Sequence, residues 1–158
     1  MSILVFSDSH GVTNDMIKIL KKNKNFELVI HLGDFAKDVN VIRKNFEKLN
    51  YEVVRGNNDW NREIPSEKII EIMNKKIFIT HGHHYGVKND YTRIINKGKA
   101  LKADAVLFGH THISEEMFSD KMLVLNPGSI GRPVNGIKTY CIIDVKDNKF
   151  WTEFKSIR

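Results

Sequence analysis

ILVFSDSHG, residues 3–11, is a run of four large apolar side chains that stops abruptly in Ser, Asp, Ser, His and Gly. A short apolar run without polar interruption reads as a strand buried on both faces. The segment after it, VTNDMIKILKKN (12–23), has helical spacing, with Met16, Ile17 and Leu20 on the inner side. The same order then repeats: ELVIHL (27–32) as strand, KDVNVIRKNFEKL (37–49) as helix, YEVV (51–54) as strand. A βαβαβ succession demands parallel strands joined by crossover helices, so the first half of the chain is α/β.

The second half has a different texture. SEKIIEIMNKKIFITHGH (66–83) reads as two strands joined by a tight turn at NKK, and NDYTRIINKGKALK (89–102) as a helix leading into the buried strand DAVLFGH (104–110). EEMFSDKMLVLN and KTYCIIDVKDNKFWTEFK each read as a hairpin, turning at SDK and KDN. These strands exceed what one small sheet absorbs. The expectation is two mixed β-sheets packed face to face with helices outside, in a single domain over residues 1–158.

Composition limits the function classes. With 41% hydrophobic and 28% charged residues the chain has a globular profile. The first ten residues have no basic leader region, and no run approaches the ~18 apolar residues of a membrane span, so a cytoplasmic location without a membrane is expected. One cysteine, Cys141, excludes an intramolecular disulfide and a cysteine metal cluster; its strand-like surroundings suit a buried inert thiol. The net charge of +6 admits an anionic partner, but lysines as in KILKKNKN belong to a solvated helix face. Nucleic acid is not the expected partner.

The chemistry gathers where the strands end. ILVF leads to Asp8 and His10, LVIHLG to Asp34, YEVVRG to Asn57, IFIT to His81 and His83, and AVLFG to His110 and His112. Ligand sites of open α/β sheets form at the carboxyl ends of strands. Residues i and i+2 of an extended segment share a side, so Asp8/His10 and His110/His112 can each converge. Carboxylate, imidazole and amide donors without thiolate suit Mn²⁺, Fe²⁺, Zn²⁺ or Ni²⁺. The donors outnumber what one ion takes, which points to two, with Asp34 as a bridge. Singly, an Asp-x-His or Gly-Asp is an ordinary turn or cap, and His31 reads as a hydrogen-bonded core histidine; the succession is what a turn explanation does not cover. RGNNDW (55–60) stays open at this level between a bend at Gly56 and a ligand-bearing loop.

Read in order, Asp8-x-His10, Gly33-Asp34, Gly56-Asn57-x-Asp59, His81-Gly-His83 and Gly109-His110-x-His112, with NPGSIGRP (126–133), resemble the calcineurin-like metallophosphoesterase superfamily, most of all its small YfcE-type bacterial and archaeal phosphodiesterases. The resemblance implies a four-layer αββα sandwich. It also implies one ion on Asp8, His10, Asp34 and His112 and another on Asp34, Asn57, His81 and His110, sharing a bridging water. On this resemblance the ions would acidify that water to hydroxide for in-line attack on phosphorus. Mn²⁺ leads the candidate ions, with Ni²⁺, Fe²⁺, Zn²⁺ and Co²⁺ also admitted. Asp59 would orient a ligand imidazole and His83 would contact a phosphoryl oxygen. A small phosphate ester is the implied substrate, and a homodimer or homotetramer is admitted.

Two departures narrow this. Many members carry a His after the Asn ligand; here it is Asn58, which can hydrogen-bond but cannot act as an acid. Purple acid phosphatases place an iron-binding Tyr where this chain has Lys37, so a tyrosinate-bound ferric ion is not expected. A scaffold alternative exists, since the retromer subunit with this fold departs from the family at its metal positions; this chain keeps all seven. Processive nucleases of the superfamily usually carry extra domains and the His that Asn58 replaces.

Overall fold

The computed structural model describes residues 1–23 and 25–157. Its elements run β1 (Ser2–Phe6), α1 (Thr13–Lys22), β2 (Leu28–His31), α2 (Asp38–Asn45), β3 (Asn50–Val53), β4 (Glu67–Ile72), β5 (Lys75–Thr80), a 3₁₀ turn (His83–Tyr85), α3 (Thr92–Ala100), β6 (Ala105–Leu107), β7 (Ser114–Ser119), β8 (Met122–Pro127), β9 (Lys138–Lys146) and β10 (Lys149–Ile157). They form two five-stranded sheets, ordered β10-β9-β1-β2-β3 and β4-β5-β6-β8-β7. In each, three parallel strands carry antiparallel neighbours: β1, β2 and β3 in the first, β5, β6 and β8 in the second.

Side-chain alternation makes the layers. Along β1, Ile3 and Val5 point between the sheets, where they meet Leu28, Ile30, Ile77, Ile79, Leu107 and Leu125. Leu4 and Phe6 point the other way, onto Met16, Ile19 and Leu20 of α1 and Ile42 of α2. On the second sheet Phe78, Val106 and Val124 turn outward to Ile94 of α3. The central strands are therefore apolar on both faces, which is why they read as continuous runs. The four-layer αββα sandwich and the two mixed sheets flanked by helices are as expected. Among the described residues no helix is long and apolar enough to cross a membrane.

Three local readings need correction. The inner face of α1 carries Ile19 in place of Ile17 beside Met16 and Leu20. Helix α2 ends at Asn45, not Leu49, because its continuation is already committed elsewhere. The Phe46 carbonyl accepts from the Tyr51 hydroxyl, and the Asn50 N–H goes to Glu27 as β3 begins to pair. The β4–β5 turn is Met73–Asn74, both at positive φ, with Ile72 opposite Lys75, a two-residue loop of the type that matches strand twist. Lys75 and Lys76 belong to β5, where Asp104 takes the Lys76 N–H and the Lys75 ammonium. His31 is buried and hydrogen-bonded as expected, its Nε2 2.9 Å from Ser9 Oγ. Cys141 is buried and free, its thiol pushed up to about 12 by burial.

Candidate metal centre

Parallel strands bring their carboxyl ends to one edge, and both sheets present that edge to the same side. The loops after β1, β2, β5 and β6 deliver Asp8 and His10, Asp34, His81, and His110 and His112 there. Asp8, His10, Asp34 and His112 each offer a donor atom within 4.8 Å of the others'. His112 Nε2 lies 3.0 Å from Asp8 Oδ1, and His10 Nε2 lies 3.6 Å from Asp34 Oδ2. His81 Nε2 stands 3.4 Å from Asp34 Oδ1 and 3.2 Å from His110 Nδ1. Asp34 thus faces both groups of imidazoles, one on each side.

The remaining sequence candidates are placed unevenly. Asn57 is exposed and makes no side-chain hydrogen bond among the described residues. Its neighbour Asn58 donates to Asp34 twice, from the backbone N–H to Oδ1 at 2.9 Å and from Nδ2 to Oδ2 at 2.6 Å. Asp59, expected to orient a ligand imidazole, makes no hydrogen bond to one among the described residues. Its Oδ1 accepts from the Ala36 N–H and its Oδ2 from the Gly56 N–H, each at 2.8 Å, lacing the third strand-end loop to the second. His83 stacks beside His84 and lies 5.3 Å from the His81 ring, with a buried Nδ1 that has no hydrogen-bond partner among the described residues.

The backbone at the site is held in a costly conformation. Asp8, His10, Asp34, His110 and His112 all have φ between +46° and +71°. Left-handed backbone costs a non-glycine residue roughly 1–2 kcal/mol and persists only where the surroundings over-determine it. Several groups do so here. Ser7 Oγ donates to Asp8 Oδ2 at 2.6 Å, and the His110 N–H donates to the same oxygen. Ser9 Oγ bonds Asp38, which also receives the Gly11 N–H. Asn126 donates from Nδ2 to the Gly109 carbonyl and to Thr111 Oγ1, and Ser129 Oγ donates to the Asp8 carbonyl. Gly109 is required by close approach, since a Cβ there would sit 1.9 Å from Ser7 Oγ. Sequence reasoning assigned no role to Ser7, Ser9, Asp38, Asn126 or Ser129. The signal for them was faint, two serines flanking Asp8 and the NPGS tetrapeptide.

Electrostatics favours cation binding. Burial pushes the Asp8 carboxyl up, but His112, His81 and Ser7 outweigh it and hold the group below its usual value. Burial pushes His10 down, and with His81 and Lys88 it pushes His110 down to about 4. Both are then neutral near pH 7, the form that offers a lone pair. His112 is raised by its contact with Asp8. The His81 Nδ1 contacts the Leu32 carbonyl at 2.7 Å, which turns its Nε2 into the cluster. Among the described residues both ring nitrogens of His10 are buried without hydrogen-bond partners, and Asp8 Oδ1, buried as well, has only the His112 Nε2 contact at 3.0 Å. Such groups are costly to leave unpaired, and a divalent cation there would take up the Asp8 oxygen and the one His10 nitrogen that offers a lone pair. The donor set fits a hard or borderline metal ion.

Two mixed sheets with carboxylates and imidazoles crowded at one shared edge are the arrangement of a metallophosphoesterase. The model of the calcineurin-like phosphoesterase superfamily domain matches residues 1–148, and the chain belongs to that superfamily. It is similar to YsnB, a probable metallophosphoesterase of Bacillus subtilis, at 31% identity over 98% of this chain and 90% of the relative. It is also similar to MJ0936 of Methanocaldococcus jannaschii, named a phosphodiesterase, at 36% identity over 95% and 96%. Among solved structures, a predicted phosphoesterase from Streptococcus pneumoniae superposes with a TM-score of 0.82 at 28% identity, covering 98% of this chain and 88% of that one. A Vps29 variant from Entamoeba histolytica superposes at 0.79 over the full length of both chains; at 20% identity it shows the fold alone.

Proposed function

We propose that this chain is a phosphodiesterase that works with two divalent metal ions, manganese foremost, on small phosphate diesters. The observation that carries the reading is the crowding of Asp8, His10, Asp34, His81, His110 and His112 around buried, unpaired donor atoms. Asp8, His10, Asp34 and His112 would hold one ion. Asp34, His81 and His110 would hold the other, with Asn57 assigned as its amide ligand by its position after Gly56. Bound there, such ions neutralise phosphoryl charge and acidify a water near neutral pH. The phosphodiesterase name of the archaeal relative supports the diester class.

The chain's own side chains complete the site. Asn58 holds the Asp34 carboxylate from two directions and so fixes the residue shared by both ions. His83, pushed down to about 4 by burial and then by His81, His84 and His110, is neutral and is assigned as a hydrogen-bonding contact to a phosphoryl oxygen. No acid stands where Asn58 sits, so diesters with good leaving groups are preferred. Purified protein with Mn²⁺ should hydrolyse bis-p-nitrophenyl phosphate. Asp34→Asn and His112→Ala should each cut turnover by more than about a hundredfold, beyond what loss of an outer partner costs. Variants as active as wild type would refute the assignment. Wild-type protein that neither retains metal nor turns over would favour the scaffold alternative.

A further inference from the structure

The cluster opens on one flank into a groove of about 390 Å³, whose walls include Tyr91, Ile113 and Val134 and whose inner end is formed by His110 and His112. Ile113 is 49% and Val134 70% exposed, so apolar surface lies uncovered beside a polar centre. The Tyr91 hydroxyl is committed to Glu115, which leaves its ring as the contact surface. Lys88 lines the same groove and is exposed. Among the described residues it forms no ion pair, as holds for many of the chain's lysines, but Lys88 is the one that lines this groove. The neighbouring carboxylates are otherwise engaged: Asp90 receives the Thr92 N–H, and Glu115 the Tyr91 hydroxyl.

We infer that this groove holds the alcohol half of the diester and that Lys88 selects alcohols carrying a further anionic group, carboxylate or phosphate. The inference rests on the phosphodiesterase reading and adds a substrate class to it. The volume suits a short alcohol, at the lower end of small-ligand sites. Apolar walls accommodate its carbon chain, and an unpaired cation at the wall complements a charge at its far end. A cation that merely offset the phosphoryl charge would act equally on every diester.

The test compares four p-nitrophenyl phosphodiesters whose second alcohol is propanol, hydroxypropanoate, propanediol monophosphate or choline, assayed with Mn²⁺. The wild type should favour the two anionic esters over the propyl ester by up to about fivefold, the scale of an exposed ion pair, and should disfavour the choline ester. Lys88→Gln should level the ranking and Lys88→Glu should invert it. Lys149→Gln removes an exposed lysine at the opposite edge, where the Val145 N–H meets the Met1 carbonyl, and should keep the wild-type ranking. High salt should shrink the preference. If Lys88→Gln slows all four esters equally, or leaves the ranking intact, the inference fails. If wild type turns over none of them, the phosphodiesterase reading fails instead. The inference is then read by calorimetry in manganese buffer, from the affinities for phosphopropanoate and propyl phosphate. A preference for phosphopropanoate lost in Lys88→Gln supports it, and equal affinities overturn it.

Discussion

Gly109→Ala tests how tightly the loops at the centre are interlocked. A Cβ at Gly109 would lie 1.9 Å from Ser7 Oγ, 2.8 Å from Asp8 Oδ2 and 2.9 Å from Ser7 Cβ. The backbone of Gly109 is not in the left-handed region, so the cost is steric, and overpacking of this kind costs about 1–3 kcal/mol. Ser7→Ala alone removes the 2.6 Å bond to Asp8, worth about 1.5–3 kcal/mol for a charged acceptor. In the double variant the 1.9 Å overlap has no partner, so the two costs should fall short of their sum by at least about 1 kcal/mol. Urea titration of the four proteins in EDTA measures this directly. With 158 residues, 2 kcal/mol also corresponds to roughly 4–8 °C in Tm. Strictly additive costs would show that the β1 and β6 loops do not compete for this space, and the packing argument would fall.

Other expectations concern titration, support and reactivity. Buried His31 and half-buried His10, His83 and His110 all have lowered pKa values, so the unfolded chain takes up protons first. Metal-free stability should therefore be fully present above about pH 6.5 and decline below it, with His112, raised by Asp8, opposing in part; a urea midpoint that is flat or rises from pH 7 to 5 would contradict this. Asn126→Ala removes bonds to Gly109 and Thr111 and the Oδ1 acceptor of the Gly128 N–H, and should cost about 2–3 kcal/mol while weakening manganese binding tenfold or more. Unchanged manganese affinity on titration would show that the support does not reach the ligands. Cys141 should resist thiol reagents at pH 8 in the native protein and react on addition of urea, because burial holds the thiol near 12.

The architecture was legible because the central strands are buried on both faces and the strand ends change character within one residue. Sheet membership was less so. Nothing in KTYCIIDV says that β9 pairs with β1, since edge order depends on contacts more than a hundred residues apart. The α2 boundary escaped because the Tyr51 hydroxyl's bond to the Phe46 carbonyl and the pairing of Asn50 with Glu27 leave no mark in the apolar spacing. At the centre, the Asp and His positions were legible from spacing. The partition of labour in residues 57–59 was not, because it depends on how the loop after β3 folds over Asp34. Asn58, read as the vacancy of an acid, clasps that carboxylate, and Asp59, read as an imidazole partner, binds two backbone amides. The supporting serines and Asn126 are ordinary turn residues until the loops they join are seen together.

The central claim is that these strand-end side chains hold two metal ions, and metal content per chain tests it most directly. After reconstitution with Mn²⁺ and desalting, elemental analysis should give close to two ions for wild type, close to one for His81→Ala, and neither for Asp34→Ala. Wild-type protein that retains no manganese, or a His81→Ala variant that keeps two ions, would contradict it.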